Sequence, residues 1–335
     1  MPNERLLGES NAFLEVLEQV SRLAPIPRPV LLIGERGTGK ELFAHRLHYL
    51  SPRWQHPFIS INCAALSESL LETELFGHEV GAFTGAQKRH QGRFERADGG
   101  TLFLDEVATM SPRLQEKLLR VIEYGDFERV GGQQSLRVDV RLVCATHADL
   151  PALAASGQFR ADLLDRLAFD VVTLPPLRAR RDDILLLGHH FAERLSQELG
   201  LPSFAGFTPA ATEALLAHDW PGNIRELRNV IERSLYRQAE PEQPLATLVL
   251  DPFASPWRPQ VSDATPTLPR LPRLPLAWKQ HLASYEQALL QQALRQQHFN
   301  QRLAAQSLGL SYDQLRGLLR KYGISAHPAT DEMSE

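Results

Sequence analysis

A glycine-rich segment from Gly34 to Glu41 has the residue types and the spacing of a phosphate-binding loop. Its sequence, GERGTGKE, carries two glycines at the required distance and a lysine directly after the second one. Backbone N–H groups of such a loop cradle phosphates, and the lysine, here Lys40, reaches the β- and γ-phosphates. A glycine-rich turn without nucleotide is the alternative interpretation. The predicted nucleotide contacts are Gly34, Glu35, Gly37, Thr38, Gly39, Lys40 and Glu41.

Two adjacent acids, Asp105 and Glu106, follow the mostly apolar run Thr101–Leu104. We expect Asp105 to hold Mg²⁺ mainly through water. We expect Glu106 to orient and deprotonate a water that attacks ATP. An acidic pair that is merely solvated at the end of a strand is the alternative. Glu41 stands where the general loop pattern has the Ser or Thr that meets magnesium.

The elements around these residues predict an α/β fold. The apolar run Pro29–Ile33 feeds the glycine loop, and a helical pattern follows it, which is the setting that a phosphate-binding loop requires. Further strands are predicted at 57–63, 138–144 and 171–177. An amphipathic helix over 5–24 is predicted to turn Phe13, Leu14, Leu17 and Val20 to the core.

Composition narrows the class of protein. The chain has 335 residues, a net charge of −4 and 43% hydrophobic residues, as in ordinary soluble domains. Cys63 and Cys144 lie in or after apolar runs and are predicted to be buried thiols. No apolar run approaches the length of a membrane span, and the N-terminus does not resemble a signal peptide. We therefore expect a cytoplasmic protein.

The C-terminal part is predicted to be helical and, at its end, basic. Residues 182–238 follow a helical pattern, and nine prolines between 241 and 275 indicate a linker. A helix over 278–297, with Leu282, Tyr285, Leu289 and Leu290 inward, precedes two short helices with helix-turn-helix spacing. A three-helix protein-interaction module is the alternative. The predicted DNA contacts are Arg302, Ser311, Tyr312, Gln314, Arg316, Arg320 and Lys321.

The segment Gly81–Ala86 reads GAFTGA and follows ELFGHE at Glu74–Glu79. With the GTGKE ending of the phosphate loop, these runs closely resemble the bacterial activators that act on RNA polymerase carrying sigma-54. The resemblance extends over nearly the whole chain. It implies an AAA+ P-loop ATPase core with a parallel sheet, a helical lid and a small all-α Fis-type helix-turn-helix domain.

The resemblance also implies roles for single residues. Asn62 is expected to hold the catalytic glutamate until ATP is sensed, although a plain strand cap is the alternative. Thr146 takes the sensor I position, followed by His147 where many relatives have Asn. Arg225 takes the sensor II position. Arg160 and Arg166 are candidate arginine fingers acting in trans, or else a solvated helix face. The expected sigma-54 contacts are Gly81, Ala82, Phe83, Thr84, Gly85 and Ala86.

The partners implied by the resemblance are the sigma-54 RNA polymerase holoenzyme, enhancer DNA and further copies of the chain in a hexameric ring. We expect no receiver domain before the first helix, and therefore control by a partner in trans. The resemblance implies that this partner is an inhibitory protein linked to membrane stress. Trp54 is either a packing residue or the contact for this regulator. Two other functions remain open: a DNA-binding regulator whose ATPase is not coupled to sigma-54, and another AAA+ remodelling motor.

Five segments are predicted from these patterns. They are an α/β ATPase subdomain at 1–177, a helical lid at 178–240, a proline-rich linker at 241–276, a helix-turn-helix domain at 277–325 and a disordered tail at 326–335.

Overall fold

A computed structural model describes residues 6–255, 257, 278–297 and 299–324. The predicted tail at 326–335 and most of the predicted linker lie outside the described residues. The chain divides into two compact units, Met1–Pro256 and Trp257–Glu335. None of the helices in the described ranges is long and apolar enough to cross a membrane.

The strands of the first unit are β1 (Val30–Ile33), β2 (Phe58–Asn62), β3 (Thr101–Asp105), β4 (Asp126–Glu128), β5 (Ser135–Arg137), β6 (Arg141–Thr146) and β7 (Asp170–Thr173). Five of them form a parallel sheet with the order β2-β3-β6-β1-β7. Strands β4 and β5 form a separate antiparallel hairpin. The strand predicted at 138–144 begins only at Arg141, which lies opposite Thr101, the first residue of β3, whereas residues 135–137 pair with β4.

Helices cover both faces of the sheet, as buried parallel strands require. Alternate residues of β1 show this: Val30 and Leu32 pack in a cluster with Phe13 and Phe43, whereas Leu31 packs in the core on the opposite face. The helices of the core are α1 (Asn11–Leu23), α2 (Lys40–Tyr49), α3 (Glu68–Phe76), α4 (Arg93–Arg96), α5 (Pro112–Tyr124), α6 (Leu150–Ala155) and α7 (Ala161–Leu167).

Two expectations about the core can be compared with the structure. Cys63 and Cys144 are buried free thiols, as predicted. The prediction for the first helix is partly wrong, because α1 begins at Asn11 and leaves Leu14 48% exposed. The buried residues of α1 are Phe13, Val16, Val20 and Leu23. They are three or four positions apart and therefore lie on one face of the helix.

Three helices form the lid subdomain: α8 (Asp182–Leu199), α9 (Pro209–Ala217) and α10 (Asn223–Tyr236). Trp220 is fully buried among them, and its indole N–H donates to the carbonyl oxygen of Leu215 at 2.9 Å. The segment that we expected to be linker from 241 onward also packs here. Leu245 is buried and pairs with Phe207, and Leu248 joins the same apolar cluster.

The second unit contains α11 (Trp278–Gln296), α12 (Gln301–Ser307) and α13 (Tyr312–Tyr322), which confirms the predicted helix-turn-helix. The Ser311 hydroxyl accepts from the backbone N–H of Gln314 and caps α13. The inward face predicted for α11 is wrong for three residues, because Leu282, Tyr285 and Leu289 are exposed. The two short helices pack on the C-terminal part of α11, where the core residues are Leu290, Ala293 and Leu294.

Candidate functional site

The glycine loop connects β1 to α2 and has the backbone of a phosphate-binding loop. Gly37 and Gly39 have φ values of +79° and +93°, which favour glycine. The ammonium group of Lys40 donates to the carbonyl oxygens of Gly34 at 2.8 Å and Glu35 at 3.2 Å. Burial lowers the pKa of Lys40, although the nearby carboxylates of Asp105 and Glu106 oppose this effect.

A cavity of about 680 Å³ opens beside the loop. It brings together most of the residues predicted to bind or hydrolyse nucleotide, although they come from distant parts of the chain. Gly34, Glu35 and Thr146 do not line it. Thr146 is fully buried, and its backbone carbonyl accepts from the N–H of Gly34. The predicted residues that line the cavity are Gly37, Thr38, Gly39, Lys40, Glu41, Asn62, Asp105, Glu106 and Arg225.

Asp105 ends β3 at the carboxyl edge of the sheet. Its Oδ2 accepts from the Nδ2 of Asn62 at 3.0 Å, and its Oδ1 accepts from the backbone N–H of Glu106 at 3.0 Å. Burial, together with the charge of Glu106, raises the pKa of Asp105. The resemblance implied that Asn62 holds the glutamate, but in this structure the amide of Asn62 contacts the aspartate.

Glu106 is held by a different residue. Its Oε2 lies 2.7 Å from the Nδ1 of His147, the residue that follows β6. Glu106 also has a φ of +53°, a left-handed conformation that non-glycine residues rarely adopt. The two strands carrying these residues are parallel neighbours, with Leu104 opposite Cys144, so the residues after them converge.

The lid contacts the glycine loop through Asn223, a residue that the sequence analysis missed. Asn223 is fully buried with a φ of +53°, and its Nδ2 donates to Glu35 Oε2 and to the carbonyl oxygen of Arg36, both at 3.0 Å. Its Oδ1 accepts from the backbone N–H of Leu177 at 2.8 Å. The only feature of the sequence that could have indicated this contact is the Gly-Asn pair at the start of the helix, because Asn tolerates a left-handed backbone conformation.

Glu35 is the acidic partner in this contact. Both of its carboxylate oxygens accept from the guanidinium of Arg178, at 2.6 and 2.8 Å. The hydrogen bonds from Arg178 and Asn223 lower the pKa of Glu35 to about 2. The backbone N–H of Ile224 also donates to the carbonyl oxygen of Gly37 at 3.0 Å. The start of α10 is therefore bonded directly to the phosphate-binding loop.

The GAFTGA segment forms a loop between α3 and α4 in which Gly81, Phe83, Thr84 and Gly85 are exposed. Ala86, an expected sigma-54 contact, is buried instead. Phe83 is 47% exposed, and its ring leans edge-on against His78 with the centroids 4.9 Å apart. Gly81 and Gly85 have φ values of +80° and +107°. A Cβ atom at either glycine would meet nothing within 4 Å. None of the six residues lines the cavity beside the glycine loop.

The base of this loop is fixed by a buried arginine. Arg129 donates to Glu79 at 2.6 Å and makes two hydrogen bonds to the carboxylate of Glu95. The backbone N–H of Val130 donates to the carbonyl oxygen of Gly77 at 3.0 Å. The backbone N–H of Glu79 also donates to the carbonyl oxygen of Val130 at 3.1 Å, so the segment at Arg129 and Val130 supports the base of the GAFTGA loop.

The two candidate arginine fingers lie outside the cavity. Arg160 forms a bidentate ion pair with Asp162, and Arg166 pairs with Glu123 at 2.9 Å. Arg166 lines a second cavity, also about 680 Å³, together with Tyr124 and Phe169, which are more than half exposed. These side chains do not reach the nucleotide cavity of their own chain.

The predicted DNA contacts lie on α12, α13 and the turn between them. Arg302, Arg316 and Arg320 are exposed. Lys321 differs, because its ammonium group is 3.6 Å from Glu286 on α11 and lies over the ring of Tyr322. Trp54, the candidate regulator contact in the first unit, is 55% exposed.

The first unit is defined by this arrangement as a P-loop ATPase with a parallel α/β core and a helical lid, and the second unit is a helix-turn-helix. Comparison with known proteins agrees. Residues 6–173 match the sigma-54 interaction domain, residues 178–251 the AAA+ ATPase lid domain, and residues 281–322 the bacterial regulatory proteins of the Fis family.

The chain is 62% identical over 321 residues to the Psp operon transcriptional activator of Escherichia coli (strain K12), covering 96% of this chain and 98% of the relative. It is 42% identical to the regulatory protein AtoC of the same strain, covering 95% of this chain and 68% of AtoC. The structure of NtrX from Brucella abortus in complex with ATP superposes with a TM-score of 0.68 at 34% identity, covering 96% of this chain and 70% of NtrX.

The chain therefore belongs to the sigma-54 interaction domain family. It is an AAA+ ATPase and a sigma-54-dependent transcriptional activator with a helix-turn-helix DNA-binding domain, homologous to the Psp operon activator.

Proposed function

We propose that ATP hydrolysis in the first unit moves the GAFTGA loop, which engages sigma-54 and remodels the closed promoter complex. The observation that carries this proposal is the separation of the two sites. Phe83 is half exposed on a loop whose residues are absent from the nucleotide cavity, so the loop is suited to contact a partner. Its small neighbours leave the aromatic ring as the main contact surface.

The proposed hydrolysis uses groups that the cavity brings together. Lys40 and the backbone of the glycine loop bind the phosphates, and Arg225 reaches the nucleotide from the lid. Glu106 is the general base that takes a proton from the attacking water. Asp105 fits a magnesium ion held mostly through water, because both of its oxygens already accept hydrogen bonds yet keep lone pairs. The ion would supply positive charge next to the phosphates.

We further propose a homohexameric ring in which each site is completed by a neighbouring chain. Arg160 and Arg166 are the arginine fingers. Their support is that Arg166 is exposed and Arg160 is partly exposed, and that neither lines the cavity of its own chain. The exposed rings of Tyr124 and Phe169 next to Arg166 provide apolar surface for the neighbour.

The helix-turn-helix unit is proposed to bind enhancer DNA with α13 in the major groove. Arg316 and Arg320 are exposed, whereas Lys321 already pairs with Glu286. Arg320→Ala should therefore lower the salt slope of DNA binding by about 0.9 for one phosphate contact, and Lys321→Ala by less. Equal slopes for both variants and the parent would contradict this assignment.

We propose that the chain activates a phage shock operon and is restrained by an inhibitory regulator in trans. The support is the 62% identity to the Psp operon transcriptional activator over nearly the full length of both. Trp54 is proposed to be the regulator contact, because a large aromatic side chain is 55% exposed there. Trp54→Ala should keep ATPase activity and relieve repression, and a variant that stays repressed would refute this role.

The proposal for the loop is tested by transcription in vitro from a sigma-54 promoter with purified Phe83→Ala. ATP hydrolysis and ring assembly should stay near the parent level, while promoter opening is lost. Binding to sigma-54 in the presence of ADP–aluminium fluoride should be lost as well. Leu70→Ala, which removes another exposed apolar side chain in the first unit, is a control that should open the promoter. Normal promoter opening by Phe83→Ala would overturn the proposal.

A further inference from the structure

A buried glutamine joins the segment after Glu106 to the start of α7. This residue, Gln115 on α5, is fully buried. Its Nε2 donates to the carbonyl oxygens of Met110 at 2.8 Å and Gln158 at 3.3 Å, and its Oε1 accepts from the backbone N–H of Arg160 at 2.8 Å. Both amide protons and the amide oxygen are therefore used. One side chain thus holds three backbone groups from two distant parts of the chain.

Met110 ends the short segment that follows the acids of the nucleotide site. Residues Val107–Thr109 form a 3₁₀ turn, in which the backbone N–H and the hydroxyl of Thr109 donate to the carbonyl oxygen of Glu106, at 3.0 and 2.8 Å. Met110 itself is buried, so its carbonyl group needs a partner within the protein. The turn therefore gives Gln115 a fixed anchor that is continuous with β3.

The contact to Arg160 satisfies the backbone at the start of α7. Arg160 immediately precedes this helix, and its carbonyl oxygen accepts from the N–H of Leu164 at 3.1 Å. The N–H groups at the start of a helix have no acceptor within the helix. Gln115 supplies the acceptor for Arg160 and so fixes the backbone from which the arginine side chain projects. The guanidinium group of Arg160 pairs separately with Asp162.

Arg166, the second candidate finger, is also held from α5. Its Nε donates to Glu123 at 2.9 Å, near the end of this helix. The side chain of Arg166 is 60% exposed, and an ion pair that water can reach contributes little. The buried amide of Gln115 is therefore the stronger of the two constraints that α5 places on the candidate fingers.

We propose that Gln115 is a positioning residue for the arginine finger Arg160, whose backbone it fixes against the segment that follows Glu106. This inference rests on the proposed role of Arg160 as a finger that acts on the nucleotide of a neighbouring chain. Gln115 is not among the residues that line either cavity, so it does not contact nucleotide itself. Its loss therefore impairs the nucleotide site of the neighbouring chain and not the site of the chain that carries it.

The first measurement is ATP hydrolysis by the full chain with Gln115→Met, which keeps a long side chain but has no amide. We expect kcat to fall by about 10-fold to 100-fold, since a group misplaced by about 1 Å costs that much. The affinity for a fluorescent ATP analogue should stay at the parent level. Gln238→Met is the matched control, because the amide of Gln238, after α10, also donates to two backbone carbonyl groups, both at 2.7 Å. A kcat within twofold of the parent for Gln115→Met would overturn the inference.

Two mixtures identify the site in which Gln115 acts. Lys40→Ala lacks the phosphate-binding lysine but has an intact finger, so mixing it with Gln115→Met should restore part of the activity. Mixing Gln115→Met with Arg160→Ala should give no more activity than the separate variants, because neither chain then offers a working Arg160. Ring assembly is checked by light scattering in the same samples. Absence of rescue by Lys40→Ala, or rescue by Arg160→Ala, would show that Gln115 acts in its own site, and would overturn the inference.

The same measurements distinguish the inference from the proposal on which it rests. If Arg160→Ala hydrolyses ATP at the parent rate, the assignment of the finger is wrong, and the inference falls with it. If Lys40→Ala rescues Arg160→Ala but does not rescue Gln115→Met, only the role of Gln115 is wrong. Gln115→Asn, whose amide is withdrawn by one methylene from all three partners, is the second variant if Gln115→Met does not fold. It should give the same results in both mixtures.

Discussion

The phosphate-binding loop and the GAFTGA loop are both glycine-rich, yet they stand in opposite surroundings. A Cβ atom at Gly37 would lie 2.3 Å from the carbonyl oxygen of Gly222. At Gly81 and Gly85 it would meet nothing within 4 Å, although these glycines also have positive φ. The first loop uses glycine so that the lid can approach closely. The second uses it so that an exposed segment can turn.

The two loops also differ in which part of the loop is held by hydrogen bonds and ion pairs. In the nucleotide site the constraints reach the loop itself, because Asn223 and Ile224 bond to its backbone. In the GAFTGA loop they stop at the base, where Arg129 pairs with Glu79 and Glu95. A loop fixed at its base and open at its tip can transmit movement to a partner without changing the nucleotide site.

The largest expected effect concerns the candidate arginine fingers. If the nucleotide site needs a neighbouring chain, Arg166→Ala and Arg160→Ala should each lower kcat for ATP by about 10³-fold or more. Arg22→Ala, at an exposed arginine that pairs with Glu18 on α1, is the control. Mixing an arginine variant with Lys40→Ala should restore part of the activity, because some interfaces then combine an intact loop with an intact arginine.

The outcome of the mixing experiment decides between two arrangements. Rescue means that the nucleotide site is shared between chains, in contrast to the GAFTGA loop, which one chain builds alone. Assembled mixtures without any rescue would contradict the shared site, and ring assembly is checked by light scattering in the same samples.

The second prediction compares the glycines directly. Alanine in a left-handed conformation costs about 1–2 kcal/mol at any of these positions. At Gly37 the added methyl group also meets the backbone of the lid, so Gly37→Ala should weaken ATP binding by about tenfold or more, a loss of about 1.4 kcal/mol. Gly81→Ala and Gly85→Ala should leave ATP binding unchanged and impair only transcription activation. Equal ATP affinities for all three variants would remove the contrast between the loops.

The local patterns were sufficient to predict the elements of the nucleotide site. The strand, glycine loop and helix around Lys40 lie within one continuous stretch, as do β3, which ends at Asp105, and Glu106 directly after it. Residues far apart in the chain could not be paired in the same way. Asn223 meets Glu35 across 188 positions, and His147 meets Glu106 only because β3 and β6 are neighbours.

The wrong expectations have a related cause. Leu14 and Leu282 follow a helical spacing of apolar residues, but which side of a helix is covered depends on the elements that pack against it. Leu245 shows the opposite error. It lies in a proline-marked stretch that was predicted to be a linker, but it is buried and pairs with Phe207.

The third prediction concerns the contact between lid and loop. Asn223→Ala leaves the buried N–H of Leu177 without its acceptor, which should lower the free energy of unfolding by about 1–3 kcal/mol. ATP affinity should fall as well, since the lid is no longer bonded to Glu35. Asn223→Gly relieves the left-handed backbone without restoring the hydrogen bonds. If Asn223→Gly matches the parent in urea unfolding and ATP titration, the backbone and not the amide is what the site requires.

The smallest expected effect is a pH dependence from Glu35. Its pKa in the folded chain is about 2, below the ordinary value of 4.5, because Arg178 and Asn223 donate to the charged carboxylate. Glu35 therefore stabilises the fold above about pH 4.5, and this contribution is lost as the pH falls from there toward about 2. The side chain is 41% exposed, so solvent screening should keep the contribution below about 1 kcal/mol.

Urea unfolding of the parent and of Glu35→Gln, followed at neutral and acidic pH, measures this contribution. The neutral variant should be less stable than the parent at neutral pH, and the difference should shrink on acidification because the parent glutamate becomes protonated. Phe83→Ala should follow the pH profile of the parent, since the GAFTGA loop takes no part in the contact. A constant difference between parent and Glu35→Gln across the range would mean that the charge of Glu35 does not help to hold the lid on the phosphate-binding loop.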